Sequence, residues 1–178
     1  MILIIDVCES RLHRFEFVKP IEDIVKNAGE ESITKRFIDI EEADLTAADK
    51  VIICGTSLKD DCFLRNLDRF DWIKTFNKPI LGICAGFQII GLIFEGTLNK
   101  KTEIGFFKED LNILGVDGEQ EVYHLHNNYI EFPKNTFDIL SKGDLPQAVK
   151  HKDLPIYGVL FHPEVRQKAI IENFIRKS

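Results

Sequence analysis

The stretch Asn77-Lys78-Pro79-Ile80-Leu81-Gly82-Ile83-Cys84-Ala85-Gly86-Phe87-Gln88-Ile89-Ile90-Gly91 decides how this chain folds. The apolar run after the proline suits a buried strand of a parallel sheet, and the residues beyond it can form a helix. Between the two stands one cysteine with a glycine two residues to either side. Gly82-x-Cys84-x-Gly86 has the form of a nucleophile elbow, a sharp strand-to-helix turn whose glycines let strand and helix approach closely. A thiol at that turn faces the positive end of the helix dipole, which favours the thiolate. The Ala85 N–H has no helical partner there and is free to donate to an oxyanion. The competing reading is an inert cysteine packed as a small hydrophobe.

Outward from the elbow, strands alternate with helices. Ile2–Val7 reads as a buried strand with Asp6 and Cys8 near its end, and Pro20 opens a helix that Gly29 stops. Ser32–Ile40 is extended, and Asp49–Gly55 is a third strand that runs into the loop Gly55-Thr56-Ser57. Asp68–Phe76 supplies Phe70, Trp72, Ile73 and Phe76 to cover a sheet face. Beyond the elbow helix, Thr97–Glu131 reads as several short antiparallel pieces punctuated by Gly105, Gly115 and Gly118. Phe137–Ser141, Gln147–Lys150 and Ile156–Phe161 read as further strands, and Arg166–Lys177 as a closing amphipathic helix. The expected fold is α/β, one three-layer domain over residues 1–178. It has a mostly parallel open sheet with helices on both faces and a small antiparallel extension.

Composition narrows the function classes. A chain of 178 residues can bury roughly 70% of its unfolded surface in one core. Its net charge of −6 disfavours a phosphate-backbone binder, so no nucleic-acid partner is expected. Cys8, Cys54, Cys62 and Cys84 contain no C-x-x-C pair, which argues for reduced thiols in a cytoplasmic protein. Met1–Ile5 meets Asp6 too early for a signal peptide, and no apolar run approaches the roughly 20 residues of a membrane span. No membrane partner is expected.

A cysteine nucleophile needs a base, and the base needs a group to hold its ring. Of His13, His124, His126, His151 and His162, the last closes a strand and is followed by Pro163 and Glu164. Residues i and i+2 of an extended chain share a side, so Glu164 can lie beside the His162 ring and fix its tautomer. Cys84, His162 and Gly55 all fall at the carboxyl ends of strands, where open α/β sheets build their sites. The Gly55 loop can add a second N–H to an oxyanion hole.

Gly82-Ile83-Cys84-Ala85-Gly86-Phe87-Gln88 together with Phe161-His162-Pro163-Glu164 resembles the class I glutamine amidotransferases, the family with a Cys-His-Glu triad. Thr102-Glu103-Ile104-Gly105-Phe106 and the His-x-His loop are most similar to the free-standing, GMP-synthase-like members. The resemblance implies that Cys84 is the nucleophile, His162 the general base and acid, and Glu164 its orienting group. It implies an oxyanion hole of Gly55, Thr56 and Ala85, and a glutamine site including Gln88, His126 and Asn127. It further implies that L-glutamine is hydrolysed through a cysteinyl thioester, without a cofactor, and that ammonia passes to a separate ATP-dependent synthetase, with GMP synthase the leading candidate.

The chain departs from the family in three places. Cys8-Glu9-Ser10 replaces a Gly-Gly/Ser-Gln turn, Gly55-Thr56-Ser57 replaces Gly-Gly-Pro, and Leu125 and Asn128 replace the Ser and Asp of a Ser-His-x-Asp loop. Thr56 is expected to restrict the peptide rearrangement that forms an oxyanion hole. The alternative readings are a partner-independent γ-glutamyl hydrolase and a non-catalytic regulatory subunit. His124 and His126 form an i, i+2 pair able in principle to hold a metal. With no carboxylate or cysteine at ligand spacing along the chain, a structural or substrate-loop role is preferred and no metal is expected.

Overall fold

The computed structural model describes residues 1–177; Ser178, the last residue of the expected domain, lies outside the described residues. In chain order the elements are β1 (Ile2–Asp6), α1 (His13–Phe17), α2 (Lys19–Asn27), β2 (Ser32–Arg36), α3 (Glu42–Ala47), β3 (Lys50–Ile53), β4 (Ile80–Ile83) and α4 (Ala85–Ile93). They continue with β5 (Thr97–Ile113), β6 (Val116–Glu131), β7 (Phe137–Ile139), β8 (Ser141–Lys142), β9 (Ala148–His151), β10 (Ile156–Val159) and α5 (Ala169–Arg176). The main sheet has the order β2-β1-β3-β4-β10-β9-β7. Its first five strands are parallel, and β9 and β7 add antiparallel pairs at one edge.

Every residue of β1, β4 and β10 is buried, as strands covered on both faces require. Alternate residues feed two separate cores. Ile2 and Ile4 pack with Ile21 and Val25 of α2 and with Ile170 and Phe174 of α5. Leu3 and Ile5 pack with Phe87 and Ile90 of α4 and with Phe70 and Ile73 of the 3-10 segment Leu67–Lys74. Complete burial of side chains such as Phe70, Phe87 and Phe174 contributes roughly 1.5–3 kcal/mol each. The three-layer α/β expectation is met.

One local expectation is corrected. Thr97–Glu131 is one long hairpin, β5 and β6, turned at Leu114 and Gly115, both with positive φ. Gly105 and Gly118 lie within the strands instead of ending them, so the antiparallel extension is larger than composition suggested. With β8 the hairpin forms a second sheet of order β6-β5-β8. The segment before Lys19, which has no clear periodicity, carries the five-residue α1. No helix among the described residues is long and apolar enough to cross a membrane.

Candidate active site

At the carboxyl end of β4 the chain turns into α4 within one residue. Cys84, the N-cap of that helix, has φ 48° and ψ −95°, a conformation costly for any residue with a Cβ and characteristic of functional turns. The surrounding packing leaves no room to relax it. A Cβ on Gly86 would stand 2.3 Å from the Ile53 carbonyl oxygen, and one on Gly82 2.6 Å from that of Gly86. Helix and strands therefore approach closer than alanine permits, and the elbow follows from the Gly-x-Cys-x-Gly pattern.

The loop after β3 completes the wall. A Cβ on Gly55 would lie 2.5 Å from His162 Cε1 and 3.3 Å from Cys84 Cβ, so ring and cysteine are no farther apart than those two distances joined. His162 sits just past β10, with its N–H bonded to the Tyr123 carbonyl of β6 at 2.8 Å. Its Nδ1 is 2.7 Å from Glu164 Oε1, and both side chains are buried. Phe17 of α1 packs against the ring at a centroid distance of 5.4 Å. Burial opposes a charge on this imidazole, but the Glu164 carboxylate bonded to it and the nearby Cys84 sulfur outweigh it and hold the His162 pKa well above the ordinary value.

The Cys84 thiol is directed at the Leu125 carbonyl oxygen, 3.6 Å away, while His162 Nε2 has no hydrogen-bond partner among the described residues. Loose nucleophile–base geometry is common before substrate binds. The other thiols are held as thiols: burial pushes Cys8 up to about 12, Cys62 up to about 11 and Cys54 well above its usual range.

A narrow cleft joins the elbow to the hairpin. Thr56, Cys84, Ala85, Gln88, His126 and Asn127 all line it, which brings together every remaining residue expected there except Gly55, whose contacts are those above. The Asn127 amide spans the mouth, donating to the Leu58 carbonyl at 3.4 Å. Thr56 does not project freely, because its hydroxyl donates to Asp60 Oδ2 at 2.6 Å. Asp60 also accepts from the Glu9 N–H at 3.2 Å and lies 2.7 Å from His13 Nδ1, so one buried carboxylate braces the whole loop. His13 is thereby engaged with Asp60, and His151 caps a turn by accepting from the Asp153 and Leu154 N–H groups. Sequence reasoning missed Asp60 and Phe17, which act through tertiary position and carry no motif.

The histidine pair does have carboxylates beside it. Cross-strand pairing sets Glu103 opposite His126, with Oε2 3.1 Å from His126 Nε2, and Glu109 Oε1 is 3.2 Å from His124 Nε2. The carboxylates absent from the neighbouring sequence arrive from the other strand. Burial, then the second imidazole beside it, lowers the His126 pKa to about 4.

The glutamine amidotransferase class-I family model matches residues 13–178 of this chain. The chain belongs to the class-I glutamine amidotransferase family. A glutamine-hydrolyzing GMP synthase subunit of Picrophilus torridus is 30% identical over 151 residues, covering 76% of this chain and 80% of that one. The corresponding GMP synthase subunits of Pyrococcus abyssi and Methanobrevibacter smithii are 37% and 32% identical, over 57% and 58% of this chain. Those two matches span only 58% and 62% of the relatives' own lengths. The crystal structure of a candidate GMP synthase subunit from Thermoplasma acidophilum superposes with a TM-score of 0.85 at 28% identity, covering 98% of this chain and 92% of that one. A Thermotoga maritima glutamine amidotransferase, at 17% identity and a TM-score of 0.73, shares the fold.

Proposed function

We propose that this chain is the glutaminase subunit of a two-chain GMP synthase. It would hydrolyse L-glutamine at Cys84 and pass ammonia to a separate ATP-dependent synthetase. The observation that carries the chemical half is the strained Cys84 standing across Gly55 from a buried His162–Glu164 pair; the names of the relatives support the acceptor half.

In this reading the thiol turns from the Leu125 carbonyl toward His162 Nε2, which takes its proton. The thiolate attacks the glutamine carboxamide, and the oxyanion is held by the Ala85 N–H and by N–H groups of the Gly55-Thr56 loop. His162 returns the proton to the departing ammonia, leaving a glutamyl thioester. Water, activated by the same ring, releases glutamate and the free thiol. Glu164 keeps the tautomer that presents Nε2 to the sulfur and stabilises the ring while it is charged. Gln88, His126 and Asn127 bind the substrate in the cleft, and the Asn127–Leu58 contact opens to admit it.

Glutamate release from glutamine tests the proposal, measured for the wild type and Cys84→Ala with and without the ATP-dependent subunit of a GMP synthase. Cysteine-dependent glutamate release, coupled to GMP formation when the partner and ATP are present, is expected. Absence of turnover under all these conditions overturns it, and turnover unaffected by the partner would point to the hydrolase instead.

A further inference from the structure

We infer that Glu103, His124 and His126 form a binding site for a zinc-class divalent cation, built into the β5–β6 hairpin where it walls the cleft and sharing His126 with the proposed glutamine site. His124 Nδ1 and His126 Nε2 are 3.2 Å apart, and Glu103 Oε2 lies 3.8 Å and 3.1 Å from them respectively. Zinc bonds imidazole nitrogen and carboxylate oxygen at about 2.0–2.2 Å, so adjacent ligands of a tetrahedral site are about 3.3–3.5 Å apart. The three atoms thus already outline one face of such a tetrahedron, with the fourth position left for water.

The outer contacts fit the same purpose. Glu109 Oε1 holds the far nitrogen of His124, which places the proton on Nε2 and turns the Nδ1 lone pair inward, the usual carboxylate–histidine–metal arrangement. The Gln147 amide donates to Glu103 Oε2 at 3.1 Å and fixes that carboxylate, while Lys101 approaches its other oxygen, Oε1, at 3.8 Å. Without a cation the cluster is poorly satisfied. One proton on His126 Nε2 must serve both the Glu103 oxygen and the His124 lone pair, and the two carboxylates stand in a largely buried setting with Lys101 as the cation at its edge. Zinc replaces that proton, which leaves to solvent, and bonds all three atoms at once.

The backbone is shaped to bring the third ligand in. Lys100 pairs with Asn128 but Glu103 pairs with His126, so β5 carries one extra residue in a bulge at this point. In unbroken register Glu103 would oppose Leu125 and face the other side of the sheet. Two imidazoles and one carboxylate favour zinc over magnesium or calcium, which prefer all-oxygen shells.

Zinc binding to the full-length protein, measured by competition with a chromophoric chelator and by X-ray absorption at the zinc edge, tests the site. One zinc per chain is expected, with nitrogen and oxygen ligands at about 2.0–2.1 Å and no sulfur at about 2.3 Å. Magnesium and calcium should not displace it. His124→Asn and Glu103→Gln should each weaken zinc at least about 100-fold, and Glu109→Gln roughly 10- to 100-fold. Cys84→Ser should leave affinity unchanged. Zinc that binds through sulfur, that keeps full affinity in His124→Asn and Glu103→Gln, or that binds no tighter than millimolar overturns the inference. The absorption spectrum of the wild type decides the ligand set even where a variant fails to fold.

Discussion

The elbow at Cys84 and the hairpin β5–β6 face each other across one cleft, yet their structures are specified in different ways. The elbow is fixed within five residues, because Gly82 and Gly86 are the only residue type whose backbone fits against Ile53 and Ile90. The hairpin is fixed by register over more than thirty residues, and a single extra residue near Lys101 decides which side chains reach the site. Local sterics therefore set the proposed nucleophile, while long-range pairing sets what lies over it. Changes to the first region should act on chemistry, and changes to the second on stability and binding.

The largest effect expected is that of Cys84→Ala. Glutamate release should fall to background while the unfolding midpoint stays near that of the wild type, since removing the sulfur from a strained turn leaves the flanking glycine contacts in place. Retained turnover would assign the chemistry to another group. Glu164→Gln comes next, with a loss of roughly 10³- to 10⁴-fold in kcat, by analogy with removing the charge of other triad acids. This variant also has a pH signature. Because His162 is held above its ordinary value, its charged pairing with Glu164 contributes stability that is fully present below about pH 6.5 and is lost as pH rises through the elevated pKa. The stability gap between wild type and Glu164→Gln, followed by denaturant unfolding, should therefore narrow with rising pH.

Gly55→Ala should be intermediate. A methyl group 2.5 Å from His162 Cε1 cannot be accommodated without moving the ring or the loop, and a misplaced donor in such sites costs about 10²- to 10³-fold in kcat. Circular dichroism and the unfolding midpoint should change little, because Gly55 lies on a loop and its neighbours are the site itself. An active Gly55→Ala enzyme would show that ring and thiol do not meet across this glycine.

How much was legible follows the same division. The parallel sheet with helices on both faces and the contact of His162 with Glu164 could be read from the sequence, because buried strands and an i, i+2 pair are local patterns whose assembly obeys general topology. Asp60 was not legible. It braces Thr56, Glu9 and His13 from a loop with no periodicity, and nothing about an aspartate in a polar stretch announces three partners. Glu103 was hidden for a different reason: its side of the sheet depends on a bulge, and alternation counted from either end of β5 gives opposite answers. The His124–His126 pair was visible while its carboxylates were not, since cross-strand neighbours are set by register and not by spacing along the chain.

Glu103→Ala tests that last point and should have the smallest effect on the elbow. Truncating this side chain takes from His126 the carboxylate that cross-strand pairing sets opposite it, and removes the contact to Gln147. A buried imidazole left without its carboxylate costs about 1–3 kcal/mol, so the unfolding midpoint should fall while Cys84 and His162 keep their places. Glutaminase activity should then drop through KM more than through kcat, because the cleft wall moves and the nucleophile does not. If kcat fell as far as in Gly55→Ala, the hairpin would be positioning the reacting groups themselves, and the division between a locally built elbow and a register-built wall would fail.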